Sequence, residues 1–274
     1  MPAHTEVLAS QRIRVGVGGW TYEPWRDNFY PAGLAHAQEL HYASRHLTAI
    51  EVNGTYYSTF KPASFKKWHD ETPDDFVFSL KASRFSTNRK ALATAGDSIR
   101  RFVDSGIGEL GSKLGPIVWQ FMPTKVFDPE DLAGFLELLP KKEGSRALRH
   151  VLDVRHESFR SAEYLALARK YKVATVYTDS PKFPSIADPT GDFVYARLMN
   201  CDAQQAAGYA PKALDEWADA AKTWAKGGMP SSLALVGEEG RQKRSDARDV
   251  FVFFINGAKE KAPAAAGALI ERLR

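Results

Sequence analysis

Apolar residues recur along this chain in two rhythms, and the switches between them divide it into strands and helices. Short alternating or continuous apolar runs predict strands at Ile13–Gly18 (IRVGVG), Thr48–Asn53, Phe76–Lys81 (FVFSLK), Pro116–Phe121 (PIVWQF), His150–Val154, Val173–Tyr177, Phe193–Leu198 (FVYARL) and Asp249–Ile255 (DVFVFFI). Helical spacing fills the gaps. Leu132, Phe135, Leu136 and Leu139 make one i, i+3, i+4, i+7 stripe, and Leu214, Trp217, Ala218, Ala221 and Trp224 make another. Further helices are expected over Leu34–His46, within Pro62–Glu71, between Ala91 and Leu110, from Ser161 and from Pro263. Asp128-Pro129-Glu130-Asp131 is a helix start: Asp128 caps, Pro129 takes the first position, and the acids suit the positive end of the dipole. Pro181 to Asp192 has three prolines and no period, which predicts a loop where one helix is due.

Strands alternating with helices imply a parallel sheet. Eight strands in this length favour a closed TIM-type (β/α)8 barrel over an open doubly wound sheet. No G-x-G-x-x-G opens a helix after the first strand, because GVGGW runs into an aromatic loop, so no nucleotide-cofactor motif is seen. The expectation is one α/β barrel domain over residues 12–274 behind a loose terminus, residues 1–11.

Composition adjusts this picture little. The chain has 274 residues, 44% of them hydrophobic, enough for a large core. A net charge of +4 permits an anionic ligand, but 37 Lys and Arg scattered among 33 acids do not demand nucleic acid. The single cysteine, Cys201, excludes an internal disulfide framework and reads as an inert thiol in a reducing compartment. No apolar run approaches the roughly 20 residues of a membrane span, and residues 1–12 lack a signal-peptide core. A cytoplasmic protein without membrane association is expected. No pattern specifies an oligomeric state.

In such a barrel the chemistry gathers at the C-terminal strand ends. Those ends carry Trp20, then Glu51 and Asn53, Lys81, Gln120, Asp153 with Arg155 and His156, Asp179, Arg197 and Asn256. Glu51 and Asn53 share one side of their strand, and Tyr56 and Tyr57 follow where the strand gives way to a loop. Glu51, Asp153 and Arg197 lie within strands, an expensive place for a charge unless it is paired or used. Trp20, Tyr22, Trp25, Phe29 and Tyr30 crowd the first loop, as a plug, a ligand wall, or both.

Three acids (Glu51, Asp153, Asp179) facing three cations (Lys81, Arg155, Arg197) admit two readings. One is a self-satisfied salt-bridge network plugging the mouth. The other is a site for a small anionic or polyhydroxylated molecule, bound by the cations and worked on by a carboxylate that moves protons, as a hydrolase, lyase or isomerase does. On that reading Glu51, Lys81 and Asp153 are catalytic, with Glu51 the general acid/base and Lys81 a less favoured Schiff-base nucleophile. Trp20, Tyr30, Asn53, Tyr57, Gln120, Arg155, His156, Asp179, Arg197 and Asn256 would bind substrate. A divalent metal held by Glu51, Asp153, His156 and Asp179, as in a phosphoesterase or nuclease, is possible but not favoured: there is no compact H-x-H or H-E-x-x-H, and the arginines would compete. A third hypothesis is a non-catalytic protein that reads nucleic acid or a partner through the aromatic loop and the basic run Arg241-Gln242-Lys243-Arg244.

The residues also carry a resemblance. VGVGGWTYEPWRDNFYPAGL (Val15–Leu34), IEVNGTYYSTF (Ile50–Phe60), TPDDFVFSLKASR (Thr72–Arg84), VWQF, DVRHESF, VYTDS, VYARL and VFVFFINGAKEKAPAAA (Val250–Ala266) resemble, in order, the Domain of Unknown Function 72 family, the YecE-like proteins. The resemblance implies a TIM-type barrel and no established reaction. The chain departs from the family pattern in three places. Ile255-Asn256-Gly257 stands for an asparagine pair, Gly54 for a common serine, and Leu198-Met199-Asn200 for a histidine-glycine ending that a proton-transfer or metal hypothesis would use.

Overall fold

The computed structural model describes residues 12–237 and 247–274. Eight parallel strands close into a barrel: β1 (Ile13–Gly18), β2 (Ala49–Val52), β3 (Val77–Lys81), β4 (Leu114–Gln120), β5 (His150–Asp153), β6 (Ala174–Thr178), β7 (Phe193–Leu198) and β8 (Asp249–Phe254). Each pairs with its neighbours in sequence, and β8 pairs with β1 through Val15 opposite Val252. The α/β barrel read from the hydrophobic rhythm is therefore the observed fold.

Alternation sorts the side chains. On the inner face β7 presents Phe193, Tyr195 and Arg197, and β8 presents Phe251 and Phe253 beside them. The lower interior is apolar, closed by Val118, Val151 and Val176. The outer faces of the strands pack on the helices through one large core. Gly16 lets β1 sit close to β2: a Cβ there would lie 1.8 Å from the Ala49 carbonyl oxygen.

The helices are α1 (Glu39–His46), α2 (Pro62–Glu71), α3 (Gly96–Val103), α4 (Pro129–Leu138), α5 (Ala162–Lys170), α6 (Pro211–Ala225) and α7 (Ala262–Leu273). The two stripes hold. Leu132, Phe135 and Leu136 of α4 are buried, as are Leu214, Ala218, Ala221 and Trp224 of α6. Asp128 caps α4 by accepting from the Glu130 and Asp131 amides, and Ser161 caps α5 through the Tyr164 amide. Residues 181–192 contain no helix.

Three local expectations change. The helix expected over Leu34–His46 is regular only from Glu39, after a 3-10 turn. The one expected between Ala91 and Leu110 is regular only over α3, which follows a 3-10 turn at Leu92–Thr94 and cannot run on into the 3-10 segment from Ile107, because Gly106 takes a positive φ (103°) that no regular helix contains. The loop expected after Asn53 is a one-turn helix, Gly54–Tyr57. The basic run at 241–244 and the terminus at 1–11 lie outside the described residues. No helix among the described residues is long and apolar enough to cross a membrane.

Candidate active site at the barrel mouth

Six of the sequence-derived candidates meet at the C-terminal end of the barrel. Arg197 is the centre. Only 2% exposed, it donates from Nη2 to Glu51 Oε1 (3.0 Å) and from Nη1 to Asp153 Oδ2 (2.5 Å) and Gln120 Oε1 (3.2 Å). Arg155 closes the other side, donating from Nη2 to Gln120 Oε1 (2.8 Å) and Asp153 Oδ2 (3.0 Å). These residues come from β2, β4, β5 and β7 and the exit of β5, so the alternation that builds the apolar layers below also builds this polar one.

The layer is anchored from beneath. Tyr195, one inner-face step below Arg197, donates to Glu51 Oε2 (2.8 Å). Its hydroxyl lies 2.7 Å from Ser79 Oγ, which donates to the Pro116 carbonyl (2.8 Å). Burial, then the Glu51 charge, pushes the Tyr195 phenol well above its ordinary range, so it stays a donor. Gly18, opposite Glu51 in the register, leaves space on the β1 side; a Cβ there would fall 2.8 Å from Asn53 Nδ2.

Lys81, the sixth member, ends β3 on the inner face. It is 6% exposed and near enough to Arg197, Glu51, Asp153 and Arg155 for their charges to act on it. Burial, then Arg197, brings its ammonium down to about 8, while the two carboxylates pull the other way. Its nitrogen lies 4.1 Å from the centre of the Tyr56 ring. Among the described residues it has no hydrogen-bond or ion-pair partner. Lys113, the other buried lysine among them (2% exposed), donates to the His69 carbonyl (2.5 Å), the Thr72 carbonyl (2.7 Å) and Thr72 Oγ1 (3.3 Å). One further donor of the cluster, the buried Nε of Arg197, also lacks a partner.

The other candidates lie elsewhere. Tyr57 is 62% exposed; the one-turn helix after Asn53 directs Tyr56 to the cluster instead, pinned by Thr55 Oγ1 donating to the Lys81 carbonyl (2.7 Å) and by its own hydroxyl donating to Asn88 Oδ1 (3.1 Å). Trp20 packs edge-on against Trp68 of α2 and Phe78 of the outer face of β3. Tyr30 is buried and donates to the Trp20 carbonyl (2.5 Å), while the Trp25 indole donates to the Lys259 carbonyl (2.9 Å). The aromatic loop thus packs on itself and on the chain leading into α7. His156 accepts the Ser158 amide at Nδ1 (3.2 Å), capping the turn Glu157–Phe159. Asp179 accepts the Met199 amide (2.6 Å) and the Tyr209 hydroxyl (2.6 Å), tying down the loop after β7; burial raises its carboxyl above the ordinary range. Asn256 is exposed at the rim.

Four contributors were not picked out from the sequence. Tyr195 and Ser79 each stand two residues before a chosen residue, Arg197 and Lys81, and the period-2 rule places them on the same inner face. Tyr56 was passed over for its neighbour. Phe183, whose ring lies 4.3 Å from the Arg155 guanidinium, comes from the aperiodic segment that replaces a helix, where no spacing signals it. Cys201 is buried and its thiol is pushed up to about 12 by burial. Among the described residues no group of three His, Cys, Asp or Glu side chains is placed to hold a metal ion.

The chain is similar to known proteins along most of its length. The UPF0759 protein YecE of Escherichia coli K12 is 27% identical over 147 residues, 54% of this chain and 50% of that protein, so the match spans about half the length of that relative. A DUF72 family protein from Thermotoga maritima shares the fold at a TM-score of 0.67 with 21% identity, covering 94% of this chain and 96% of that one. A second, from Enterococcus faecalis V583, has a TM-score of 0.66 with 14% identity, covering 95% and 94%. The family model described as "Protein of unknown function DUF72" matches residues 14–274, and the chain belongs to that family.

Proposed function

We propose that the barrel mouth binds a small anionic or polyhydroxylated molecule and acts on it by proton transfer, as a hydrolase, lyase or isomerase. The observation that carries this is the unpartnered ammonium of Lys81. Lys81 is 6% exposed and its ammonium is left to solvent or a ligand, and the same chain shows at Lys113 how a buried lysine is satisfied when its place is structural. Arg197, Arg155 and Lys81 bring three positive charges against the two of Glu51 and Asp153, leaving one positive charge to be balanced. A carboxylate or phosphate supplies that balance. The unpartnered donors, Lys81 Nζ and Arg197 Nε, are the groups such an anion needs.

Glu51, itself fully buried, is the candidate proton carrier, held between Arg197 and the Tyr195 hydroxyl. Asp153 positions both arginines. The salt-bridge reading accounts for every charged member of the cluster except Lys81, and that exception favours a site over a plug.

A thermal-shift panel of sugar phosphates, hydroxy acids and inorganic phosphate, on wild type and Lys81→Met, tests this. Stabilisation of the wild type by at least one anion, lost in Lys81→Met, is expected. No response in the wild type, or the same response in both, would count against it.

A further inference from the structure

We infer that Lys81 is a nucleophile whose amine forms an imine with the carbonyl carbon of an anion held in the barrel mouth. The inference rests on the mouth being a ligand site, as proposed above. It adds a covalent step and a substrate class: aldehydes and ketones that carry a carboxylate or phosphate.

An imine-forming lysine needs an uncommitted amine, surroundings that disfavour the ammonium, and groups nearby that exchange protons. Lys81 has all three. Its nitrogen has neither a hydrogen bond nor an ion pair among the described residues, whereas Lys113 spends its donors on three oxygens. It sits at the end of β3 on the inner face, nearly sealed from solvent, and the guanidiniums of Arg197 and Arg155 add like charge. The carboxylates of Glu51 and Asp153 are gathered in the same layer. Tyr56 supplies a wall beside the amine. Its ring face, which favours a cation, serves the protonated imine as well as the ammonium, because both carry one positive charge.

The step balances without an oxidant or reductant. The lone pair of the neutral amine forms the C–N bond as the carbonyl π pair moves to oxygen. A proton passes from nitrogen to that oxygen, giving a carbinolamine. A second proton, taken up from solvent, lets the oxygen leave as water while the nitrogen lone pair forms the C=N bond. One amine, one carbonyl and one proton give one iminium ion and one water. The nitrogen is neutral through the attack and the carbinolamine, and its positive charge returns with the iminium ion.

The test is reductive trapping. Wild type is incubated with glyoxylate or pyruvate and sodium cyanoborohydride, and adducts are located by peptide mass spectrometry. With an amine near 8, Lys81 at neutral pH has roughly two-hundredfold more free base than an exposed lysine near 10.4. One adduct on Lys81, formed well ahead of the exposed lysines, slowed by excess inorganic phosphate and faster as pH approaches 8, is expected. Lys81→Arg keeps the charge and cannot form the imine, so it should bind phosphate in the thermal-shift assay and give no adduct. Labelling spread over exposed lysines with Lys81 no faster, or none at all, overturns the inference. Phosphate binding that survives in that case leaves the anion site standing, and its absence removes both.

Discussion

Arg197→Met is the most telling perturbation of the cluster. The guanidinium is shared between Glu51 and Asp153, both buried, with 3.0 and 2.5 Å contacts. Removing one partner of a buried pair strands the other charge, at a cost of about 3–5 kcal/mol. For a chain of this size that is a fall in Tm of roughly 6–20 °C. A single variant cannot separate a stranded charge from a lost side chain, but a cycle can. In the wild type, Glu51→Gln weakens a charge-assisted bond and is expected to destabilise by about 1.5–3 kcal/mol. In the Arg197→Met background the same change removes a stranded carboxylate while its amide can still accept from Tyr195, so it is expected to stabilise by about 1 kcal/mol or more. Urea unfolding of the four proteins, with m-values compared, reads the cycle. If Glu51→Gln destabilises both backgrounds equally, the carboxylate does not depend on Arg197 and the account of this layer is wrong.

Two further outcomes follow from the same geometry. The Lys81 proton leaves the folded state near pH 8 but is held to about 10.4 in the unfolded chain, which binds more protons between these values. Wild-type stability should therefore rise across that window relative to Lys81→Met, with the burial penalty complete below it. Urea melts of both proteins at pH 7 and pH 10 check this, and the comparison cancels the buried tyrosines, whose raised values act in the opposite sense; a difference independent of pH would refute it. Gly16→Ala drives a Cβ into the Ala49 carbonyl and should cost at least the upper end of about 1–3 kcal/mol. Gly267→Ala, in α7 with open space around it, should add about 0.5–1 kcal/mol. Melting temperatures that both fall would contradict the second prediction, and ones that both rise the first.

The barrel was legible because its signal is local. Each strand announces itself in its own residues: FVYARL reads as apolar and buried, with a charge near its end, without reference to any other segment. The helix start at Asp128-Pro129-Glu130-Asp131 is local in the same way, and the side chain of Asp128 does what its position predicts. The segment from Gly54 to Tyr57 was misread because a single helical turn offers too few residues to show a period, and that turn decides which tyrosine faces the mouth. The stop before Ile107 depends on Gly106 adopting a positive φ, which glycine permits and does not require.

The site was legible as a set of residues and not as a set of pairs. Strand-end position and the period-2 rule name Glu51, Lys81, Gln120, Asp153, Arg155 and Arg197, and the structure brings these six together. Which charge is spare is decided by groups far away in sequence. Lys81 and Lys113 look alike in the chain, each beside an apolar run. Lys113 is quiet because α2 ends where the His69 and Thr72 carbonyls, 44 and 41 residues away, meet its amine. Lys81 is spare because Arg197, across the barrel, has already taken both carboxylates, and because Tyr195 below fixes Glu51 toward that arginine. Which donor of this layer is left without a partner is thus set by how the other groups pair. A cation left unmatched after all the pairings are made is the feature a ligand can recognise, and only the closed barrel reveals it.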